Sequence, residues 1–252
     1  MIKVEFLQDF RGFKKGSVYE FETDKSIIIV GDNGSGKSTL VNLIYCYFLR
    51  TVLDKLGDEK YNLPTIHYKM IFGSPKSHAR YIYHNVLEIV KVEFPENCKM
   101  FKYSTEDYNI LDYTGDDPRI PVEVIAKQVY MYSMSRGEVE FENLTDFIQE
   151  YQQIKDSKYN NWVIFDEPDN SLSIRHSMIF PHYFNFKKPG KILILHHPYT
   201  IENIEKVYYL KKEYDNNGES NGIKMIACSG KEFINDIIET SKPIIEDILK
   251  RE

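Results

Sequence analysis

Apolar and polar positions alternate near the start of the chain and predict its first strands. Two alternating segments within residues 1–21 flank a turn at Gly12 to Gly16. Such alternation is typical of half-buried strands, so it predicts a β-hairpin or a pair of sheet strands. Four β-branched residues, Ile27 to Val30, follow and predict a buried core strand.

Apolar residues recur at helical spacing in later parts of the chain. A helix ending near Gly57 is predicted after the core strand from Leu40, Val41, Leu43, Ile44, Tyr47 and Phe48. A second helix is predicted after Glu138 from Phe141, Leu144, Phe147, Ile148 and Tyr151. A final helix is expected from about Lys231, and Pro243 should kink or split it.

Two further apolar strands end in polar residues. The strand at 161–165 is followed by Asp166 and Glu167, and the strand at 191–195 is followed by His196. Strand-like segments at 206–211 and 223–228 flank a turn at 216–218. The pattern predicts an α/β fold with a mixed central sheet and flanking helices.

The span 58–121 is the least regular part of the pattern. Short apolar runs at 81–83, 86–94 and 100–103 predict antiparallel strands joined by long loops, and no heptad pattern extends far enough for a coiled coil. We therefore expect a single domain over residues 1–252, with 58–121 inserted as a variable antiparallel β sub-lobe.

The composition is ordinary for a soluble globular protein. At 252 residues, with 42% hydrophobic and 28% charged residues, the chain can bury one large core. No apolar run approaches membrane-spanning length and the N-terminus lacks the apolar region of a secretory signal, so we expect a cytoplasmic protein without direct membrane insertion. Cys46, Cys98 and Cys228 lack metal-site spacing and are expected to be reduced packing residues.

The net charge limits the class of partner. A formal charge of -6 argues against a surface that coats nucleic acid as a whole, although a local basic face would be compatible with it. Basic residues do gather at 67–84 and at 187–191. A solvated surface is the commoner reason for such clusters, so nucleic acid is left open as a partner.

The segment from Gly31 to Ser38 has the G-x-x-x-x-G-K-[ST] spacing of a phosphate loop, and it lies between a predicted strand and a predicted helix. Backbone N–H groups and the helix N-terminus would hold the phosphates, Lys37 would reach the β- and γ-phosphates, and Ser38 would ligate Mg²⁺. A simple glycine turn would not need a lysine followed by a hydroxyl. The predicted nucleotide-binding residues are Asp32, Asn33, Gly34, Ser35, Gly36, Lys37, Ser38 and Thr39.

Three strand ends are expected to converge on the nucleotide. Ligands of open α/β sheets lie beyond the carboxyl ends of the strands, where Gly31, Asp166 and His196 emerge. Asp166 would hold Mg²⁺, and Glu167 could take a proton from the attacking water. A capped turn would also explain the two acids, and a histidine at a strand end is more often structural. Because a phosphate loop precedes these residues in the chain, we interpret the two acids and the histidine as parts of a nucleotide site.

The phosphate loop, Ser135-Arg136-Gly137-Glu138, Asp166-Glu167-Pro168 and His196 stand in the order and at the spacing of ABC-type ATPases, which this chain resembles. The segments 9–13 and 166–172 resemble the stand-alone SMC, RecF and OLD-like group more than transporter ATPases. The resemblance implies an ABC-type P-loop ATPase head that hydrolyses ATP with Mg²⁺. It covers most of the chain except 58–121.

The resemblance also implies a head-to-tail dimer, either a homodimer or an ABC-type heterodimer, with two ATP molecules between the subunits. Ser135 and Gly137 would contact the γ-phosphate held by the other subunit. Glu167 would be the general base and His196 would hold the γ-phosphate, while Ser38 and Asp166 would ligate the metal. The segment 170–173 would cross the dimer interface.

Some residues depart from the family pattern. Arg136 stands where many signatures have glycine, Ser173 and Ile174 replace a His-Pro pair, and no glutamine can be assigned to the Q-loop. Because the chain has room for neither a nuclease domain nor a long coiled coil, we expect the ATPase to switch a separately encoded effector in DNA repair, DNA surveillance or defence against phage. Two alternatives stay open: the ATPase subunit of a membrane transporter, and a scaffold that binds ATP without hydrolysing it.

Overall fold

The computed structural model describes residues 1–51, 78–104, 136–155, 157–169, 184–215 and 220–249. Within these ranges the strands are β1 (Ile2–Phe6), β2 (Val18–Phe21), β3 (Ile27–Val30), β4 (Val90–Glu93), β5 (Cys98–Ser104), β6 (Asn160–Asp166), β7 (Lys191–Ile194), β8 (Val207–Tyr214) and β9 (Ser220–Cys228). The helices are α1 (Lys37–Thr51), α2 (His78–Ile89), α3 (Arg136–Ile154), α4 (Pro198–Ile201) and α5 (Gly230–Leu249).

A six-stranded sheet forms the centre of the fold, with the strand order β5-β6-β7-β3-β8-β9. All neighbouring pairs are parallel except β8 and β9, so the sheet is mixed, as the sequence predicts. Parallel strands of this kind are covered on both faces, which explains why β3 is a continuous run of buried β-branched residues. Ile27 and Ile29 pack on one side of the sheet, and Ile28 and Val30 pack on the other.

A smaller antiparallel sheet with the order β2-β1-β4 packs beside the central sheet. β1 and β2 pair antiparallel, which confirms the predicted pairing of strands within residues 1–21. The buried side chains of β1 join the core cluster that also contains the buried side of α1. Phe6 stacks on Phe13 with ring centroids 4.5 Å apart, and this contact fixes the turn between β1 and β2 against the core.

Helix α1 begins at Lys37 and is buried over most of its surface, because it lies among the small sheet, the central sheet and α2. Its first turn contains no acidic residue, so the partial positive charge of its N-terminus is not neutralised from within the helix. Helix α3 and helix α5 cover the other side of the central sheet through residues such as Phe147 and Phe233. Pro243 lies inside α5, which runs through it without being split.

The structure contradicts the strands predicted at 81–83 and within 86–94. Residues 78–89 are helix α2, and only 90–93 form a strand, β4. Ile82, Val86 and Ile89 are each fully buried, and their spacing of four and three positions is helical. The short run Tyr81-Ile82-Tyr83 suggested a strand because β-branched and aromatic residues are typical of strands, but Tyr81 is exposed.

The strand predicted at 100–103 exists as β5, but its predicted antiparallel pairing is wrong. β5 pairs in parallel with β6 and forms one edge of the central sheet. The antiparallel sheet that the sequence predicts is present, although β1 and β2 supply two of its three strands and only β4 comes from the span 58–121. A local pattern identifies a strand without identifying its partner, because pairing is decided by distant residues.

Several sequence predictions fall outside the described ranges. These are most of the span 58–121, the end of the first helix near Gly57 and the turn at 216–218. All three cysteines are free thiols, with Cys46 and Cys98 buried and Cys228 partly buried, as expected of packing residues. Within the described part of the chain, no helix is long and apolar enough to cross a membrane.

Candidate nucleotide-binding and hydrolysis site

The phosphate loop connects β3 to α1 and has the shape that its glycines permit. At Gly31, where φ is +149°, an added Cβ would lie 2.4 Å from the backbone oxygen of Leu210 in β8. At Gly36, where φ is +91°, it would lie 2.8 Å from the ring of Phe13. Both positions therefore require glycine because of backbone conformation and because neighbouring elements approach closely.

The tip of the phosphate loop is exposed to solvent, and its base is buried. Asp32, Asn33 and Gly34 are exposed, whereas Ser35 and Lys37 are buried and Thr39 is partly buried. The hydroxyl of Ser35 is buried without a hydrogen-bond partner, which is uncommon for a polar group in a folded protein. The exposed tip and the N-terminus of α1 lie together, and a helix N-terminus of this kind favours anions.

Lys37 is folded over its own loop. Its Nζ donates to the carbonyl oxygens of Gly31 at 2.7 Å and Asp32 at 2.9 Å. Burial lowers the pKa of the Lys37 ammonium, and the negative charge of Glu167 acts in the opposite direction. An anion in the loop would give this buried cation a partner that backbone carbonyls only partly replace.

The metal-ligand candidates Ser38 and Asp166 are in direct contact. The Oγ of Ser38 donates to Oδ1 of Asp166 at 3.0 Å, across 128 sequence positions. The other carboxylate oxygen, Oδ2, lies 3.1 Å from Nζ of Lys102, and the side chains of Lys102 and Asp166 are only 2% and 7% exposed. Lys102 was not among the predicted site residues. A lysine within the apolar run from Met100 to Tyr103 was the signal that could have found it.

The oxygen ligands are of the type that Mg²⁺ prefers. Among the described residues, no group of three His, Cys, Asp or Glu side chains is arranged to hold a metal ion. Ser38 and Asp166 alone would leave most of an octahedral shell to water and to phosphate oxygens, which is how Mg²⁺ is held at nucleotide sites. The two residues therefore fit Mg²⁺ as part of a nucleotide complex.

Glu167 adopts a left-handed backbone conformation, with φ at +56°. This conformation is costly for a residue with a side chain, and such residues cluster at functional sites. The Oε1 of Glu167 lies 2.9 Å from Nε2 of His196 at the end of β7. The contact with His196 lowers the pKa of the Glu167 carboxyl, although burial works against the shift, so Glu167 is ionised at neutral pH.

Nε2 of His196 is close to Glu167, but its N–H is not aligned for a hydrogen bond and the buried nitrogen has no aligned acceptor. At 2.9 Å, His196 and Glu167 form an ion pair only when the imidazole ring carries a positive charge. The weak alignment leaves the imidazole able to donate to another acceptor in the same space. This is the geometry expected of a residue that exchanges a protein partner for a ligand.

Asp169 is a further residue that the sequence analysis did not assign. It is fully buried, and its carboxylate accepts the backbone N–H of His196, at 3.0 and 3.2 Å to its two oxygens, and of His197, at 2.9 Å. Burial raises the pKa of Asp169, and these two N–H groups oppose the shift. Asp169 thus ties the chain after β6 to the end of β7 and fixes the position of His196.

The structure brings together five of the predicted residues, Lys37, Ser38, Asp166, Glu167 and His196, at the carboxyl ends of β3, β6 and β7. Ser135 and the segment 170–173 lie outside the described residues, and Gly137 lies in the first turn of α3. The proposed contacts of Ser135 and Gly137 with a second nucleotide therefore stay predictions.

A separate cavity of about 540 Å³ opens away from this site, near the start of β3 and β8. Its lining includes Lys25, Glu205, Lys206 and Glu22, which pair with one another as Lys25–Glu205 at 2.9 Å and Lys206–Glu22 at 2.7 Å. These four charges are therefore already paired with one another, and the cavity lies away from the phosphate loop.

The fold and the site together define a class. A phosphate loop between β3 and α1, with acids delivered by the parallel strand β6 on the far side of β7, is the arrangement of a P-loop NTPase fold. The sequence profile of the AAA domain family matches residues 6–251. The chain therefore belongs to the AAA domain family.

The chain is similar to several solved structures at low sequence identity. They include a nucleotide-free ATP-binding cassette from an ABC transporter, at 16% identity with 94% of each chain covered and a TM-score of 0.43. The SMC head domain from Thermotoga maritima is 17% identical over 89% of this chain and 98% of that chain, with a TM-score of 0.45. A dimeric ATP-binding cassette bound to ADP and Pi is 13% identical over 89% and 98%, with a TM-score of 0.41. No curated protein sequence matches the chain.

Proposed function

We propose that the protein binds ATP with Mg²⁺ and hydrolyses it to ADP and phosphate. The observation that carries the proposal is the meeting of Ser38 with Asp166 and of Glu167 with His196 at the mouth of the phosphate loop. The buried Ser35 hydroxyl and the N-terminus of α1 add donors for phosphate oxygens at the same place.

In the proposed reaction, Lys37 leaves its own loop carbonyls and donates to the β- and γ-phosphates. Ser38 and Asp166 would hold the metal, which would supply positive charge to the phosphate oxygens. Glu167 orients the attacking water and takes its proton, since the carboxyl is ionised at neutral pH. His196 turns its Nε2 toward the γ-phosphate, and Asp169 holds the backbone of His196 while it does so.

We also propose that two copies close around two ATP molecules, with Ser135 and Gly137 of each copy reaching the γ-phosphate of the other. A phosphate contacted from both subunits stabilises only the ATP-bound dimer, so its hydrolysis removes the contact that holds the subunits together. The nucleotide state would then be transmitted to a separately encoded effector. Processes in which such a switch would serve are DNA repair, DNA surveillance and defence against phage.

The decisive experiment compares Glu167→Gln and Lys37→Ala with the unmodified protein. Glu167→Gln keeps the shape of the side chain but removes the base, so it should retain ATP binding, lose at least about 100-fold in turnover and accumulate an ATP-dependent dimer. Lys37→Ala should lose ATP binding. Turnover is measured by phosphate release, and dimerisation by light scattering after size-exclusion chromatography.

Glu202→Gln is the matched control, because Glu202 is exposed and follows the short helix α4. It should leave turnover and dimerisation unchanged. Unaltered turnover in Glu167→Gln would refute the assignment of the base, and unaltered ATP affinity in Lys37→Ala would refute the phosphate site. A Glu167→Gln protein that binds ATP but stays monomeric would refute the dimer while leaving the ATPase proposal intact.

A further inference from the structure

A lysine is buried beside the residues proposed to hold the metal. Lys102 is 3% exposed, and its Nζ lies 3.1 Å from Oδ2 of Asp166. Long charged side chains are almost never fully buried unless they are paired, and removing two charges from water is costly even when they pair. A hydrophobic residue would occupy the same place without this cost.

The register of the strands explains why Lys102 reaches Asp166. β5 and β6 are parallel, with Lys102 opposite Ile164 and Ser104 opposite Asp166. Alternate residues of a strand share a face, so Lys102 lies on the face of Cys98 and Met100, which pack in the core cluster of α1. The first turn of α1 carries Ser38, and the ammonium therefore enters the space between α1 and β6.

Both oxygens of Asp166 are engaged in this arrangement. Ser38 donates to Oδ1 and Lys102 contacts Oδ2, so the charge of Asp166 is already balanced by a cation of the protein. A divalent ion that approached Asp166 and Ser38 would come close to the ammonium of Lys102 and would be repelled by it. The phosphates of a bound nucleotide add several negative charges at the same place and reverse this balance.

We propose that Lys102 serves as the counter-cation of Asp166 when the metal site is empty. Its ammonium prevents a divalent ion from binding there until a nucleotide supplies the negative charge of its phosphates. The metal then enters only as a complex with nucleotide, and the empty site does not retain it. The proposal rests on the proposed function only in assigning Asp166 and Ser38 to the metal.

The test measures binding of Mn²⁺ alone, without nucleotide, by the electron paramagnetic resonance signal of the free ion. Lys102→Met keeps the unbranched stem of the side chain and removes the charged terminal group, so it should bind Mn²⁺ at least about tenfold more tightly than the unmodified protein. Adding Asp166→Asn to Lys102→Met should abolish the gain. Lys99→Met, on the same strand, is the matched control and should behave as the unmodified protein does.

Lys102→Gln is a second variant for the case in which Lys102→Met does not fold. It removes the charge but keeps a hydrogen-bond donor for Asp166. Circular dichroism of each variant establishes that it is folded, and a folded Lys102→Gln protein is sufficient for the test if Lys102→Met unfolds. Equal Mn²⁺ affinity in the unmodified protein and in the folded variants would overturn the proposal, as would unfolding of both variants, since Lys102 would then be a structural residue. Failure of the unmodified protein to bind Mg·ATP would instead refute the proposed function.

Discussion

Glu167 combines a strained backbone with a chemically active side chain. A left-handed conformation for a residue other than glycine persists only where its surroundings impose it, and here Pro168 follows and His196 contacts the carboxylate. Because the proposed base must project from the edge of the sheet toward the phosphate loop, the backbone turns sharply directly after β6. The strain is therefore located at the residue on which catalysis is proposed to depend.

The strain can be measured by comparing Glu167→Gly with Glu167→Ala. Both changes remove the carboxylate and its contact with His196, but only glycine adopts a φ of +56° without a steric penalty. We expect the glycine variant to be the more stable by about 1 kcal/mol, the reverse of the usual order. Urea unfolding gives the difference, and an alanine variant that is equally stable would show that the conformation carries no strain.

The ionisation of Glu167 predicts how its contribution to stability depends on pH. The contact with His196 lowers its pKa in the folded protein below the ordinary 4.5, so the folded state favours the ionised form. The resulting stabilisation is fully present above pH 4.5 and is lost as the pH falls through the lowered value. The free energy of unfolding of the unmodified protein should therefore fall relative to that of Glu167→Gln in this window. A constant difference would contradict the shift.

At the scale of elements, the ends of β6 and β7 are joined by the buried carboxylate of Asp169. Its removal in Asp169→Ala would leave the backbone N–H groups of His196 and His197, two partly buried residues, without this acceptor. A buried donor without an acceptor costs about 1–3 kcal/mol, so for these two partly buried donors together we expect a loss of about 1–3 kcal/mol in the free energy of unfolding. Thr200→Ala, at another buried polar residue nearby, is the control, and a loss for Asp169→Ala no larger than its own would rule out the bridge.

The phosphate loop is likewise held by elements that are distant in sequence. The ring of Phe13 from the turn between β1 and β2, and the side chain of Ile223 from β9, both lie against Gly36. The hydroxyl of Tyr19 donates to the carbonyl oxygen of Ile223 at 2.5 Å, which joins the small sheet to β9. The edges of both sheets thus form the wall of the nucleotide site, and the N-terminal hairpin is part of it.

At the scale of the whole molecule, the net charge differs in sign from the charge of the lysines buried beside the phosphate loop. The overall charge is -6, yet two buried lysines, Lys37 and Lys102, lie at the mouth of the phosphate loop beside Asp166 and Glu167. Net composition therefore gives little information about the field that a nucleotide encounters, since a few desolvated charges dominate it. An ATP-bound dimer would place this field at the interface between the two copies.

The sequence by itself determined the phosphate loop, the core strands and the acids at their ends, because each depends on residues that are neighbours along the chain. Helix α2 was mistaken for strands, since aromatic residues at 81 and 83 obscured its helical spacing. The pairing of β5, the contact of Lys102 with Asp166 and the bridge through Asp169 were decided only by the tertiary structure. Strand register and the partners of a buried charge depend on residues dozens of positions apart, and local patterns carry no information about them.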